Sequence, residues 1–245
     1  MIRFRFHFFS VAAAFFFTGC NPIYQSTNVK YKGYSIQKYG ADSLVQLMLK
    51  PYSDSVNGSM NVVIAKLVHE VEKKQPEGTL GNLMADGMKI MGEKYYGVVI
   101  DAAFINSGGV RLQALPAGNI TRGKVFELMP FDNIIVLQKL KGSVLQEFLN
   151  EVAKGGGWPV SGLTMQIKNK KAVNVMVGNQ PLDINSTYTI ANSDYIAGSV
   201  EVLKPFPQIN NGFLLRDALL DYFSSFTQAG KEISVQIQNR ITNAQ

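Results

Sequence analysis

The residues best equipped for chemistry form a binding set rather than a reactive one. Asn106-Ser107-Gly108-Gly109-Val110-Arg111 follows directly on an apolar run at 98–105. Glycines at 108 and 109 let a ligand approach the backbone, and Arg111 offers a planar fork of N–H donors suited to phosphate or carboxylate. Further on, Pro130-Phe131-Asp132-Asn133 places an aromatic face two positions before an amide that both donates and accepts. Tyr195, after Asn192 and Asp194, adds a second ring. Two rings with an amide between them would hold a flat heteroaromatic base. Each piece also has a plain structural reading, since glycine pairs occur in turns, Phe after Pro can plug a core, and a single Arg can be a solvated charge.

Reactive groups are scarce. The two histidines are His7 and His69, whereas a dinuclear phosphoesterase site needs several His and Asp ligands to clamp two ions. His69, beside Glu70 and Glu72, reads as a surface or half-buried residue. No Gly-x-Ser-x-Gly elbow occurs, and the single cysteine, Cys20, lies in what reads as a processing signal. Asp101, Asp132, Asp183 and Asp194 have the chemistry for acid and base work, but their spacing alone does not bring them together. The expectation is a binding module with no catalytic residue, no metal and no cofactor of its own.

The first residues have the order of a secretory signal: Arg3 and Arg5, an apolar stretch at 8–17, then Thr18-Gly19-Cys20. A ten-residue stretch is too short for a spanning helix, which needs roughly 20 apolar residues. The run into Cys20 reads as a lipobox, so residues 1–19 are expected to be a lipoprotein signal, 20–28 a lipidated tether, and 29–245 one folded domain. This implies export and a lipid anchor in the bacterial cell envelope, at the outer membrane and facing the periplasm or the surface. One cysteine excludes internal disulfides, and an apolar content of 46% is enough for a buried core. Loss of Arg3 and Arg5 takes the formal charge from +6 to +4, a mild bias towards anionic ligands or surfaces. Basic and aromatic residues do not interleave as in nucleic-acid binders, and no nucleic-acid partner is expected.

These residues need elements to position them. Apolar spacing predicts a strand at 29–36, helical character at 42–56 broken by Pro51, and a strand or further helical turn at 60–68. A helix is expected from Thr79, acting as N-cap, to Tyr95 or Tyr96, and a buried strand at 98–105. Beyond lie a helix at 123–129, a strand at 133–140, and a helix at 143–154 ended by Gly155-Gly156-Gly157. A hairpin of 163–168 and 172–177 turns at Asn169-Lys170-Lys171. A strand at 187–192, a helix at 212–226 and a strand at 233–238 complete the chain. Helices and strands mix without strict βαβ alternation, so the fold expected is α+β, a layered sandwich of helices and mixed sheets.

Taken in order, Leu80-Gly81-Asn82-Leu83-Met84-Ala85-Asp86, Asn106-Ser107-Gly108-Gly109-Val110-Arg111 and Met129-Pro130-Phe131-Asp132-Asn133 resemble the C-terminal domain of 5'-nucleotidases and UDP-sugar hydrolases, with weaker matches at Ser161-Gly162-Leu163 and 188–195. The resemblance covers about residues 30 to 240 and implies that family's layered α/β sandwich. It also implies nucleotide contacts from Asn106 and Arg111 around the glycine turn, stacking of the base on Phe131, and a bond from Asn133 to the base. Gly162 would lend backbone and Tyr195 would be the second stacking ring. Two positions depart from the family pattern. Where an Asp that holds the ribose is expected after Tyr195, the run is Ile196-Ala197-Gly198-Ser199-Val200-Glu201, and an Arg expected before Leu80 is replaced by Lys73-Lys74. The family's N-terminal metallophosphoesterase domain would not fit between Cys20 and Thr79. Three readings follow: a nucleotide- or nucleoside-binding half that supports hydrolysis with a separately encoded metallophosphoesterase, a tethered scaffold that has lost nucleotide affinity, and a self-sufficient enzyme using carboxylates.

Overall fold

In the computed structural model residues 30–33 and 42–244 are described. The chain divides into Met1–Met48 and Leu49–Gln245. Of the first unit, residues 30–33 have no regular structure and 43–48 open a helix; the strand expected at 29–36 is therefore not found in its described half, 30–33, and its other four residues, like Cys20 and the signal, lie outside the described residues. That helix, α1 (Ser43–Met60), runs through Pro51 without ending. Its first free N–H groups, those of Leu44 and Val45, donate to Asp42 Oδ1.

The chain then runs β1 (Val63–Leu67), β2 (Val71–Glu72), α2 (Thr79–Tyr96), β3 (Ala102–Phe104), a 3₁₀ turn (Ser107–Gly109), β4 (Ala114–Leu115) and β5 (Gly118–Thr121). It continues with α3 (Arg122–Leu128), β6 (Ile134–Lys141), α4 (Gly142–Lys154), β7 (Val160–Ser161), β8 (Leu163–Lys168) and β9 (Lys171–Val177). Last come β10 (Gln180–Pro181), β11 (Thr187–Ser193), α5 (Asp194–Ser199), β12 (Ile209–Leu214), α6 (Leu215–Gln228) and β13 (Ile241–Asn243).

One five-stranded sheet has the order β12-β6-β11-β3-β7, and a four-stranded sheet has the order β10-β9-β8-β13. Each is antiparallel except for one parallel pair, β11 with β3 and β13 with β8. The alternation of a strand sends successive side chains to opposite faces. Ala103 and Ile105 therefore join one core with Met84 and Met88 of α2 and Leu219 and Phe223 of α6. Ala102 and Phe104 join the other, where Leu145, Phe148 and Val152 of α4 meet Leu163 and Met165 of the second sheet. Phe104 and Phe148 meet edge to face at 4.9 Å, and each such fully buried side chain contributes about 1.5–3 kcal/mol. The layers are helices, sheet, helix and sheet, the α+β sandwich expected.

Several boundaries differ from the sequence expectation for physical reasons. Thr79 is the first helical residue rather than the cap; Gly78 precedes it, and the Thr79 hydroxyl accepts from Glu72 N at 2.9 Å. The apolar run at 98–105 is strand only at Ala102–Phe104, because Val98 and Val99 are exposed and the chain joins the sheet at Asp101, whose N–H donates to Thr189 O. The helix expected from 212 starts at Leu215, since Asn210 and Leu214 pair with β6. The strand expected at 233–238 shrinks to a single bridge at Ile233 with Leu67, and the last strand lies at Ile241–Asn243.

The loss of that strand has a cause. The Glu77 carboxylate accepts from Gln238 N and Arg240 N, both at 2.9 Å, and from Asn82 Nδ2 at 2.7 Å, so backbone donors that a strand partner would take are satisfied by a side chain. Arg240 follows into the interior, donating to Asp86 Oδ2 at 2.8 Å and to Val160 O at 2.7 Å. Asp86 Oδ1 also accepts from Ser161 Oγ at 2.6 Å. Tyr222 has its phenol pushed up to about 12, by burial first and by the Asp86 carboxylate second. Breaking a buried ion pair leaves an uncompensated charge. Asp86→Ala is therefore expected to lower stability by about 3 kcal/mol in urea unfolding, and a loss below 1 kcal/mol would show that solvent takes over the Arg240 guanidinium.

Candidate functional site

Strand direction brings the candidate residues to one place. β11 is parallel to β3, with Ile190 opposite Ala102 and Ala191 opposite Ala103, and antiparallel to β6, with Ser193 opposite Ile135. The C-terminal ends of β3 and β11 and the N-terminal end of β6 thus lie at the same edge. Asn106 follows the first, Tyr195 follows the second, and Phe131 and Asn133 precede the third.

The loop after β3 is tightened by Gly109 N donating to Asn106 O at 2.8 Å. A Cβ on Gly109 would stand 2.8 Å from Asn106 Oδ1, so a side chain there would push the amide aside. Gly108 has ordinary room around it. Arg111 N donates to Leu128 O at the end of α3, and Lys73 Nζ donates to Val110 O at 3.0 Å. Lys73, from the stretch where the resemblance leads one to expect an arginine, is in this way committed to holding the loop.

The opposite wall is the 129–133 loop. Leu215 N donates to Asn133 O at 2.8 Å, and Ile134 N donates to Asp194 Oδ1 at 3.0 Å. Arg216, at the start of α6, lies with its guanidinium 4.4 Å from the Phe126 ring centroid and donates to Asp132 Oδ1 at 2.6 Å and to Phe131 O at 3.3 Å. Its Nε is buried without a partner. At the third wall Ser193 Oγ accepts from Ile196 N and caps α5, a short helix that sequence reasoning missed. Asp194 Oδ1, which already holds Ile134 N, also accepts from Tyr195 N at 2.9 Å. One carboxylate oxygen therefore links the segments that carry the two rings.

Between these walls lies a cleft of about 290 Å³ lined by Asn106, Gly108, Gly109, Arg111, Phe131, Asn133 and Tyr195. Phe131 is 38% and Tyr195 58% exposed, unusual for large rings and available to a ligand. The Arg111 guanidinium lies 5.7 Å from the Phe131 centroid, within cation–π range. A larger hollow of about 430 Å³ runs beside β13, lined by 72, 74–79, 237, 239 and 241–243. No aromatic ring lines it, and the smaller cleft is the one that brings aromatic rings, amides and a guanidinium together.

Gly162 does not line this cleft. It sits between β7 and β8 at φ +81, its carbonyl accepts from Gly178 N, and a Cβ would strike the Asp101 carbonyl, so its job is packing. The four candidate aspartates are each engaged structurally. Asp101 Oδ2 accepts from Thr189 N, Asp132 pairs with Arg216, and Asp194 acts as just described. Asp183 accepts from Ser186 Oγ and Asn185 N, and these bonds hold its carboxyl below the usual range. His69 is exposed. Among the described residues no three His, Cys, Asp or Glu side chains converge as a metal ion would require. Arg216 and the bridging role of Asp194 carry no sequence signal, because the partners lie 84 and 60 residues away.

The family model for the 5'-nucleotidase C-terminal domain matches residues 58–207. The chain belongs to the 5'-nucleotidase C-terminal domain family. A 5'-nucleotidase of Vibrio parahaemolyticus is 26% identical over 226 residues, which is 83% of this chain and 39% of that protein. The crystal structure of a 5'-nucleotidase precursor from Thermus thermophilus superposes with a TM-score of 0.69 at 29% identity, covering 82% of this chain and 43% of that one. The NAD nucleotidase structure from Haemophilus influenzae shares the fold, with a TM-score of 0.63 at 15% identity. The chain spans about two-fifths of the length of these relatives.

The backbone of the Phe131 loop is held by Arg216, which bonds the Phe131 carbonyl and Asp132 while lying against the Phe126 ring. Arg216→Ala is expected to cost about 1–2 kcal/mol in urea unfolding, from the lost ring contact and hydrogen bonds. A fluorinated Phe131 should then show a second ¹⁹F resonance; a single unshifted line would mean the loop holds its own shape.

Proposed function

We propose that the cleft binds a nucleotide or nucleoside, with the base between Phe131 and Tyr195, Asn133 bonding its edge, and Asn106, Gly108, Gly109 and Arg111 forming the facing wall. The observation that carries this is the convergence of two exposed rings, two amides and a guanidinium at one edge of the five-stranded sheet. Family membership supports a nucleotide-related role. The relatives named 5'-nucleotidase are more than twice as long as the shared region, and no histidine, cysteine, serine or carboxylate lines the cleft. The hydrolytic step in this reading comes from a separately encoded metallophosphoesterase working with this chain.

The same reading places the protein outside the cytoplasm, tethered through lipid on Cys20 to the bacterial cell envelope, on the strength of the signal-like order of residues 1–20. Among the described residues no helix is long and apolar enough to cross a membrane. A second reading, a tethered scaffold without nucleotide affinity, is favoured by one observation: no carboxylate lines the cleft, and the run Ile196–Glu201 after Tyr195 lacks the ribose-binding Asp that the resemblance implies there.

Calorimetric titration with adenosine, a nucleoside monophosphate and a UDP-sugar separates the two. Saturable binding that Phe131→Ala weakens by about 1 kcal/mol or more, the worth of one stacked ring, is expected; no heat at millimolar ligand would leave the scaffold reading. The same sample with divalent metal should release no phosphate, and steady turnover abolished by Asp194→Ala would instead make the chain a self-sufficient enzyme. For the anchor, Cys20→Ser is expected to move the protein from the membrane fraction to the soluble one, and an unchanged distribution would remove the lipid from the account.

A further inference from the structure

Helix α1 is 18 residues long and buries none of them. Leu44, Val45, Met48, Leu49, Tyr52 and Val56 are each at least half exposed, and steps of three and four residues put them on one face. Gln46, Lys50, Ser53, Asp54 and Asn57 follow the same steps on the opposite face, where Lys50 Nζ donates to Asp54 Oδ2 at 2.8 Å. Its own sequence does little to hold α1 in water. Pro51 and Gly58 belong to the two poorest helix formers, and a helix of this length with no packed face is marginal. An apolar surface against the first face would supply what the helix lacks.

The residues before α1 indicate which surface that is. From 21 to 41 the sequence contains Lys30, Lys32 and Lys38 and no Asp or Glu, together with Tyr24, Tyr31, Tyr34 and Tyr39. Basic charge and tyrosine are the composition suited to the headgroup region of an anionic bilayer. Residues 21–42, at up to about 3.3–3.6 Å each, span roughly 75 Å when extended, so a lipid on Cys20 does not by itself keep the folded domain near the membrane.

We propose that α1 is a second membrane contact, lying along a lipid bilayer surface with Leu44, Met48 and Tyr52 towards the acyl chains and Lys50 and Asp54 towards water. The proposal rests on the reading of Cys20 as the lipid anchor. Amphipathic helices of this kind sink their apolar face about 5–10 Å into the boundary between headgroups and acyl chains. The polar face suits a helix that lies on the bilayer rather than crossing it, in keeping with the absence of a spanning helix among the described residues. With α1 on the surface, the chain enters the folded domain at the membrane instead of at the end of a slack tether.

The test uses the full chain, extracted from membranes in detergent and reconstituted into vesicles of phosphatidylethanolamine and phosphatidylglycerol. Leu44→Cys, Met48→Cys and Tyr52→Cys, and separately Gln46→Cys, Lys50→Cys and Asn57→Cys, each carry one nitroxide. Cys20 is the only native cysteine, and once acylated it leaves the introduced thiol as the one that reacts. All six positions are exposed, so the substitutions leave the core intact, and the melting temperature of each variant checks this. Nitroxides at 44, 48 and 52 are expected to collide preferentially with oxygen, which dissolves among the acyl chains, and those at 46, 50 and 57 with a water-soluble nickel chelate. The oxygen-to-nickel ratio thus reverses with the helical period. Preference for nickel at all six positions overturns the proposal. Shielding of 44, 48 and 52 from both reagents, growing with the amount of protein per vesicle, also overturns it and gives the face to a second copy of the chain. The anchor reading fails separately, if mass spectrometry finds no acyl group on Cys20; the labelled variants carrying Cys20→Ser, added to the same vesicles from solution, then test the helix by the same reversal.

Discussion

The position of the cleft depends on how β11 is paired. Parallel to β3 on one side and antiparallel to β6 on the other, it forces three chain ends to the same edge of the sheet. Residues from 106, 131 and 195 meet there although no local sequence feature relates them. A register slip of one residue would turn the alternating side chains of β11 to the opposite faces, exchanging Ile190 and Ala191 between two different cores. Both cores therefore defend the register that assembles the cleft, and packing far from the cleft fixes the separation of the two rings.

A second constraint ties the far end of the chain into this arrangement. Arg240 is the one charged side chain that is buried among the described residues, and Asp86, Gln238 and the Val160 carbonyl surround its guanidinium. The segment Leu80–Asp86 that carries much of the family resemblance contributes Asn82 and Asp86 to this clamp, and Gly81 packs under Pro159. None of these residues lines the cleft. That segment therefore records a requirement of folding, namely a place for the last strand, whereas the segments at 106–111 and 129–133 form the cleft walls. Resemblance carried by a motif and participation in a site are separate properties.

The sequence made the long periodic elements legible for the reason that periodicity reports burial. Helix α2 was readable because Leu80, Met84, Met88 and Met91 recur on one buried face, and the β8–β9 hairpin because Asn169 and Lys170 adopt the positive φ its turn needs. Two errors share another cause. The runs at 98–105 and 233–238 look like strands by composition, but strand identity needs a partner, and there Asp101, Glu77 and the exposed Val98 and Val99 decide otherwise. Helix α5 was invisible because six residues are too few to show a period. The site residues around the glycine turn and the Pro-Phe loop could be named from residue type alone. Arg216 could not, since its role exists only where α6 meets a loop 84 residues earlier in the chain.

The allocation of carboxylates explains what kind of site this is. Asp194 could have been a base at the mouth of the cleft, yet one of its oxygens accepts two backbone N–H groups from the segments that carry the rings. Those bonds fix the direction of the carboxylate, and withdrawing that oxygen would strand both donors and loosen the segments of Phe131 and Tyr195 together. Asp132 is held in the same way by the arginine that positions the Phe131 loop. Asp132 and Asp194 are thus the groups that hold the segments carrying Phe131 and Tyr195 in place. Both carboxylates beside the rings are engaged in the framework that presents them.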